Sequence, residues 1–195
     1  MIRSVKNVAL AGRRVLIRAD FDLPIGQKQG LPEHRIAEAL PTLRHALDQK
    51  ARVILATHQG NPRAKWSEAR TLEPSAARLV ELLGHEVRLA DDCIGDGVRK
   101  LVQDLGEGEL LILENLAMNA GEIHGDRRFA EQLAALCDVF VNEAFGQANR
   151  ALASTVVLPS LVRDRCAGLH FLSEVVRLDA VKLKQLPACE ALNEQ

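Results

Sequence analysis

Five short apolar runs, each cut off by polar residues and followed by enough chain to hold a helix, constrain this sequence more than any other feature. They are residues 14–21, RVILATH at 52–58, EVRLA at 86–90, ELLILEN at 109–115 and VFVNEA at 139–144. Between them lie helical patterns: RIAEALPTLRHALDQ from Arg35, EPSAARLVELL from Glu73, GDGVRKLVQDL from Gly95 and DRRFAEQLAALC from Asp126. Parallel strands need crossovers of this length. Runs that are apolar at nearly every position, rather than alternating, suit strands covered on both faces. The pattern predicts an α/β fold: a doubly wound parallel sheet in three α/β/α layers, with ligands beyond the strand carboxyl ends. Pro41 falls inside the first helical pattern and should kink or restart it. Residues 61–74 form a polar loop that carries the only Trp and is expected to be mobile. From Gly168 onward, Leu169, Leu172, Val175, Val176 and Leu183 recur at helical spacing, so a last long helix is expected, ended by Pro187.

A chain of 195 residues suits one domain with a full core. Its net charge of -1 gives no support to a nucleic-acid or polybasic membrane partner. No apolar run is long enough to cross a bilayer, and the amino terminus lacks a signal-peptide core, so a cytoplasmic location is the default expectation. Cys93, Cys137, Cys166 and Cys189 are scattered without a CxxC pair, which indicates neither a zinc site nor a disulfide framework; Cys93 and Cys137 read as core residues. Neither a Walker A motif nor GxGxxG occurs, so no residue is assigned to a cofactor or metal.

The chemistry gathers just after the strands. The first run ends in Arg18, Asp20, Asp22 and Pro24; the second delivers Thr57, His58, Gly60 and Asn61; the fourth Glu114 and Asn115; the fifth Asn142, Glu143 and then GQANRA with Arg150. Arg35 lies near the amino terminus of the first helix, which already favours anions. Taken singly, each has an ordinary reading: His58 bonding backbone at the rim, Asp20 capping a turn, Asn115 and Asn142 satisfying loop backbone, Arg150 solvated. Taken together they predict one edge with Arg35, His58 and Arg150 as cations or donors and Asp20, Asp22 and Asn115 as polar partners. Such a set suits a small anion bearing hydroxyls, because arginines grip carboxylate or phosphate in bidentate fashion and aspartates accept from hydroxyls.

The segments RADFDLP, HRIAEALPTL, VILATHQGNP, LEPSAARLVELLG, DDCIG, LLILEN, FAEQLAALCDVFVNEAFGQANRALAST and LPS, in this order and spacing, resemble phosphoglycerate kinase. The resemblance covers about residues 8–175, the amino-terminal half of that enzyme. It implies residues 1–167 as a parallel α/β domain binding 3-phosphoglycerate in a basic patch. Residues 168–195 would be a remnant of the interdomain helix plus a short tail, with no nucleotide-binding domain. In the family, Mg-ATP sits on that second domain and hinge closure brings the phosphates together; no cofactor is therefore expected on this chain.

Position by position, Asp20 and Asp22 resemble the substrate-hydroxyl contacts of RVDFNVP, with Asp22 in place of Asn. Arg35 matches the arginine that stabilises the transferring phosphoryl group, the one catalytic assignment. His58 matches the histidine of SHLGRP, and Arg150 the arginine of AHRAH. Asn61 stands where SHLGRP has arginine, Ala117 where ENLRF has another, and Asn149 and Leu152 replace two histidines. Arg63, two residues beyond Asn61, is a candidate to substitute in part. The expected ligand is a small phosphorylated acid, 3-phosphoglycerate or an analogue, held weakly by a remodelled site. Without a nucleotide domain no kinase activity is expected of this chain alone. The resemblance leaves open that it is half or a fragment of a working kinase needing a separate nucleotide domain. It equally leaves open an interaction module whose former interdomain surface, including the helix from Gly168, binds another protein or, as a homodimer, a second copy of itself.

Overall fold

The computed structural model describes residues 2–22, 32–60 and 71–190, with side chains as far as residue 180. Strands β1 (Arg14–Arg18), β2 (Arg52–Ala56), β3 (Val87–Leu89), β4 (Leu110–Ile112), β5 (Val139–Asn142) and β6 (Asp164–Ala167) form one sheet in the order β3-β4-β2-β1-β5-β6. Every pairing is parallel; in the centre, Arg14 stands opposite Arg52, Val15 opposite Val139, and Arg18 opposite both Ala56 and Asn142.

Alternate residues of each central strand enter different cores, which explains the unbroken apolar runs. Val15, Ile17, Val53, Leu55, Val139 and Val141 face one layer, with Ile36, Leu43, Ala76 and Leu79. These come from α1 (Glu33–Asp48) and α2 (Glu73–Leu83), and α7 (Leu169–Glu190) packs against α1. Leu16, Ile54, Leu111 and Phe140 face the other layer, with Val98, Val102, Phe129 and Leu133. That layer is built by α3 (Asp96–Gln103), α5 (Arg127–Ala134), with Asp126 capping α5 through the Phe129 N–H, and α6 (Leu158–Leu161). A short α4 (Ala120–Ile123) precedes α5. The three-layer α/β fold is thus as the sequence predicts.

Several local expectations are corrected. The strands are shorter than the apolar runs, because at their carboxyl ends side chains take over the backbone groups. The Phe21 N–H goes to Thr57 Oγ1 and the Asp22 N–H to Asp20 Oδ1, both at 3.1 Å. A sixth strand, β6, was not anticipated: DRCA offers only two apolar residues, as befits an edge. α1 runs through Pro41 without interruption. Its buried face continues on both sides of the proline, through Ile36, Leu40, Leu43 and Leu47. Such side chains stabilise by roughly 1.5–3 kcal/mol each, together more than the roughly 3 kcal/mol cost of an internal proline. α7 likewise continues past Pro187 to Glu190. The expected mobile loop lies outside the described residues up to position 70, and its last two residues begin α2.

Cys93 and Cys137 belong to the core, as expected, and Cys166 is buried as well; all three are unpaired. Burial pushes the Cys137 thiol up to about 12 and that of Cys166 to about 11, so neither offers a thiolate at neutral pH.

Candidate functional site

The strand order locates the crevice. After β1 the chain crosses over α1 to β2 on one side; after β5 it crosses the opposite face to β6 on the other. Neighbouring strands whose connections leave in opposite directions open a gap at their carboxyl ends, and ligands of doubly wound sheets bind there. Here the gap lies between the ends of β1 and β5.

Asp20 enters from β1, only 7% exposed. Its carboxylate accepts the Asp22 N–H at 3.1 Å and the side-chain amide of Gln147 at 3.3 Å to each oxygen. Gln147 belongs to the short 3-10 turn Phe145–Gln147 after β5. Arg35 enters from the first turn of α1, its side chain 34% exposed, and donates to Glu38 Oε2 at 3.3 Å. The two meet over Gly146. A Cβ at that position would overlap Asp20 Oδ2 and stand 3.6 Å from both terminal nitrogens of Arg35. The absent side chain leaves room for carboxylate and guanidinium to share one cradle.

His58, after β2, is 1% exposed. Arg18 Nη2 lies 2.9 Å from His58 Nδ1. Arginine only donates, so Nδ1 accepts and the ring proton sits on Nε2. That Nε2 is 3.7 Å from Asp22 Oδ2 and has no hydrogen-bond partner among the described residues. Asp22 Oδ1 accepts the Gly60 N–H at 3.1 Å, tying the ends of β1 and β2 together.

The predicted set is therefore only partly assembled. Asp20 with Arg35, and Asp22 with His58, form the two halves of a polar rim. Arg150 is exposed on the loop beyond β5, its side chain making no hydrogen bond or ion pair among the described residues, while its N–H donates to the Gln147 carbonyl at 3.0 Å. Asn115 joins the rim as scaffold: it receives the N–H groups of Gln59 and Ala117 and donates to the Gln59 carbonyl at 2.8 Å. Ala117 lies half-buried in the 3-10 turn Leu116–Met118 after β4. Asn61 and Arg63 fall outside the described residues.

Sequence reasoning left several neighbours out of the site, Glu143 among them although it was named after β5. Glu38 bonds Arg35 and lies 3.2 Å from His34 Nδ1 and 3.7 Å from His170 Nε2; its spacing of three from Arg35 on a helix was a usable signal. Glu143, 3% exposed, accepts the Thr42 hydroxyl and the N–H groups of His170 and Phe171 at 3.2 and 3.1 Å, seating the start of α7 beside the crevice. Burial pushes its carboxyl up, against the pull of those three donors. Arg18, fully buried, opened the polar turn in the sequence without being assigned to the site. Gln147 and Gly146 left no signal beyond following β5.

Chemically, this rim offers one guanidinium, one imidazole N–H and two carboxylates: donors for an anionic group beside acceptors for hydroxyls. No group of three His, Cys, Asp or Glu side chains among the described residues is placed to hold a metal ion. A groove of about 620 Å³, lined by Asp91, Asp96, Lys100 and Leu101, lies beside α3. It contains none of the convergent residues.

Comparison with known proteins gives a consistent answer. The family model for phosphoglycerate kinase matches residues 5–188. The phosphoglycerate kinase of Anaeromyxobacter dehalogenans strain 2CP-1 is 49% identical over 177 residues, spanning 89% of this chain and 45% of the relative. That of Solibacter usitatus is 40% identical over 194 residues, 97% of this chain and 49% of the relative. The solved phosphoglycerate kinase of Coxiella burnetii superposes with a TM-score of 0.76 at 34% identity, over 90% of this chain and 43% of that one. This chain spans about half the length of the curated relatives it matches.

Proposed function

Because the chain belongs to the phosphoglycerate kinase family, matching its amino-terminal half, we propose that it keeps a remodelled small-anion site descended from the 3-phosphoglycerate pocket and does not transfer phosphoryl groups by itself. The observation that carries this reading is the shared cradle over Gly146, where Asp20 and Arg35 converge at the sheet's switch point. Asp20 and Asp22 would accept ligand hydroxyls, Arg35 would take the phosphoryl or carboxylate group, and His58 would donate through Nε2. Phosphoryl transfer relies on positioning and charge stabilisation around a nucleotide and its Mg ion. Arg35 alone would supply only the part of that charge nearest the acid.

The site should bind 3-phosphoglycerate poorly. Hydrogen bonds to charged groups contribute roughly 1.5–3 kcal/mol each, so losing two arginines, at Asn61 and Ala117, costs about 3–6 kcal/mol. That is roughly a hundredfold to more than ten-thousandfold in affinity. Asp22 adds a negative charge beside an anionic ligand. Titration calorimetry tests this: the chain should give no heat with millimolar 3-phosphoglycerate, whereas the Asn61→Arg/Ala117→Arg double variant should bind. Silence from both proteins would overturn the site reading, and ATP turnover by the 195-residue chain alone would overturn the claim of inactivity.

A second reading rests on α7, where Val176, 67% exposed, follows half-buried Leu172 by one helical turn on the same face. Exposed apolar residues on one helix suit a covering partner. This would be a separate nucleotide-binding domain or a second copy of the chain. Kinase activity appearing on mixing with such a domain would establish the first, and dimer mass by light scattering the second.

A further inference from the structure

Beneath the rim lies a buried chain of polar contacts that touches no solvent. Glu122 (1% exposed, from α4) accepts the Ser154 N–H at 2.9 Å on Oε2 and its hydroxyl at 2.5 Å on Oε1. With its proton committed to Glu122, Ser154 Oγ accepts from Arg18 Nε at 2.8 Å. Arg18 then spends one terminal nitrogen on the Ala19 carbonyl and the other on His58 Nδ1 at 2.9 Å. The Glu122 carboxylate also lies 3.7 Å from Arg18 Nη2 and balances its buried charge.

Each link is directional. A carboxylate only accepts, so it orients the serine proton; the serine oxygen is then left to receive the guanidinium; and the guanidinium, which only donates, forces His58 Nδ1 to accept. The chain ends at a buried donor, Nε2–H, that makes no hydrogen bond among the described residues and has the Asp22 carboxylate 3.7 Å away. Buried polar groups are normally bonded, and an exception calls for an explanation. A ligand oxygen supplies one.

We propose that Glu122, acting through Ser154 and Arg18, is a positioning residue that locks His58 in the tautomer presenting Nε2–H to the ligand side of the rim. The proposal deepens the anion-site reading and rests on it for the nature of the ligand, a small acid whose carboxylate or hydroxyl oxygen meets that proton. Neither Glu122 nor Ser154 touches the ligand.

The test uses the full ligand-free chain labelled with 15N, so its outcome does not depend on any ligand binding. Long-range proton–nitrogen correlation spectra, assigned with a His58→Gln variant, should show His58 in one form, protonated at Nε2 and bare at Nδ1. Glu122→Gln and, more gently, Ser154→Ala should each shift the two nitrogens toward the averaged positions of exposed His85, whose own signals stay fixed. Ser154→Ala removes one hydroxyl only and keeps the test open if Glu122→Gln does not fold. An unchanged His58 signature in a folded variant, or Nδ1 protonation in the parent chain, would overturn the relay. A silent 3-phosphoglycerate titration of the arginine-restored protein, beside a His58 signature that responds to Ser154→Ala, would overturn the anion reading and support the relay.

Discussion

At the amino ends of the strands, Arg14 holds Asp138 through two side-chain nitrogens at 2.6 and 3.2 Å, and Arg13 holds Asp164 at 2.5 Å, with Arg3 3.6 Å from the same aspartate. Those groups are roughly a third exposed, apart from the more exposed Arg3, and each charge has an opposite one beside it. At the carboxyl ends the charges are more deeply buried and less completely matched. His58 Nε2 and Gln147 Oε1 have no hydrogen-bond partner among the described residues, and the Asp22 carboxylate stands off from Nε2 at 3.7 Å. Arg18 and Glu122 sit at 3.7 Å, out of water. The two rims of one sheet thus follow different rules: one satisfies its own charges, and the other leaves a buried donor and a buried acceptor without hydrogen bonds among the described residues, at the end where doubly wound sheets generally place ligands.

The largest test of that difference removes one member of a pair at each rim. Arg18→Ala would leave Glu122 buried without its cation, and breaking a buried pair costs about 3–5 kcal/mol. The corresponding change at the other rim, Asp138→Asn, should cost no more than about 1 kcal/mol, because the pair is partly exposed and screened. Urea denaturation of both variants measures the gap directly. Equal losses would erase the distinction between the rims.

Next in size are the glycines that let backbone approach the crevice. A Cβ on Gly168 would overlap the whole Glu143 carboxylate. Gly168→Ala should therefore displace the acceptor of the first α7 N–H groups and cost about 1–3 kcal/mol, as overpacking does. Gly146→Ala meets only the tip of Asp20, so its stability loss should be smaller, about 1 kcal/mol. Its ligand effect should be larger than its stability effect: in the arginine-restored background, calorimetry should show 3-phosphoglycerate binding abolished. Retained binding would show that Asp20 and Arg35 need not share that cradle.

The contrast between rims also explains what could be read from the chain. Strands buried on both faces need apolar residues at every position, and Val15–Ile17 and Val53–Leu55 announce this locally, so the parallel three-layer fold was legible. The edge strand Asp164–Ala167 was not, because an edge is not required to be apolar. Asp20 and His58 were placed at the rim by one topological rule, that polar residues after buried strands gather at one edge, and Arg35 by its position in the first turn of α1. Glu122 and Ser154 were not: their contact spans 32 positions and joins a short helix to the π-helical turn Ala153–Val157. No periodicity marks such a pair. Arg150, placed in the set by its position after β5 and by its match to the family arginine, lies exposed on that loop, its side chain without a described partner.

The smallest effect is one of sign. Arg14 holds the Asp138 carboxyl below its usual range. Its contribution to stability is therefore present above the ordinary aspartate pKa, about 4, and is lost as pH falls through the lowered value. Glu143 is shifted the other way by burial, so its contribution is present below the ordinary glutamate pKa, also about 4, and is lost as pH rises through the raised value. Stability followed from acid to neutral pH should accordingly change in opposite senses in two variants. Asp138→Asn should flatten the acid limb. Glu143→Gln removes the buried charge and should remove the decline toward neutral pH. Its single amide oxygen cannot serve both the His170 and Phe171 N–H groups, which bond different carboxylate oxygens, so the flatter profile should lie lower by about 1 kcal/mol. Slopes of the same sign in both profiles would mean that the hydrogen bonds from Thr42, His170 and Phe171 outweigh burial at Glu143, and that this carboxylate is as fully matched as those at the opposite rim.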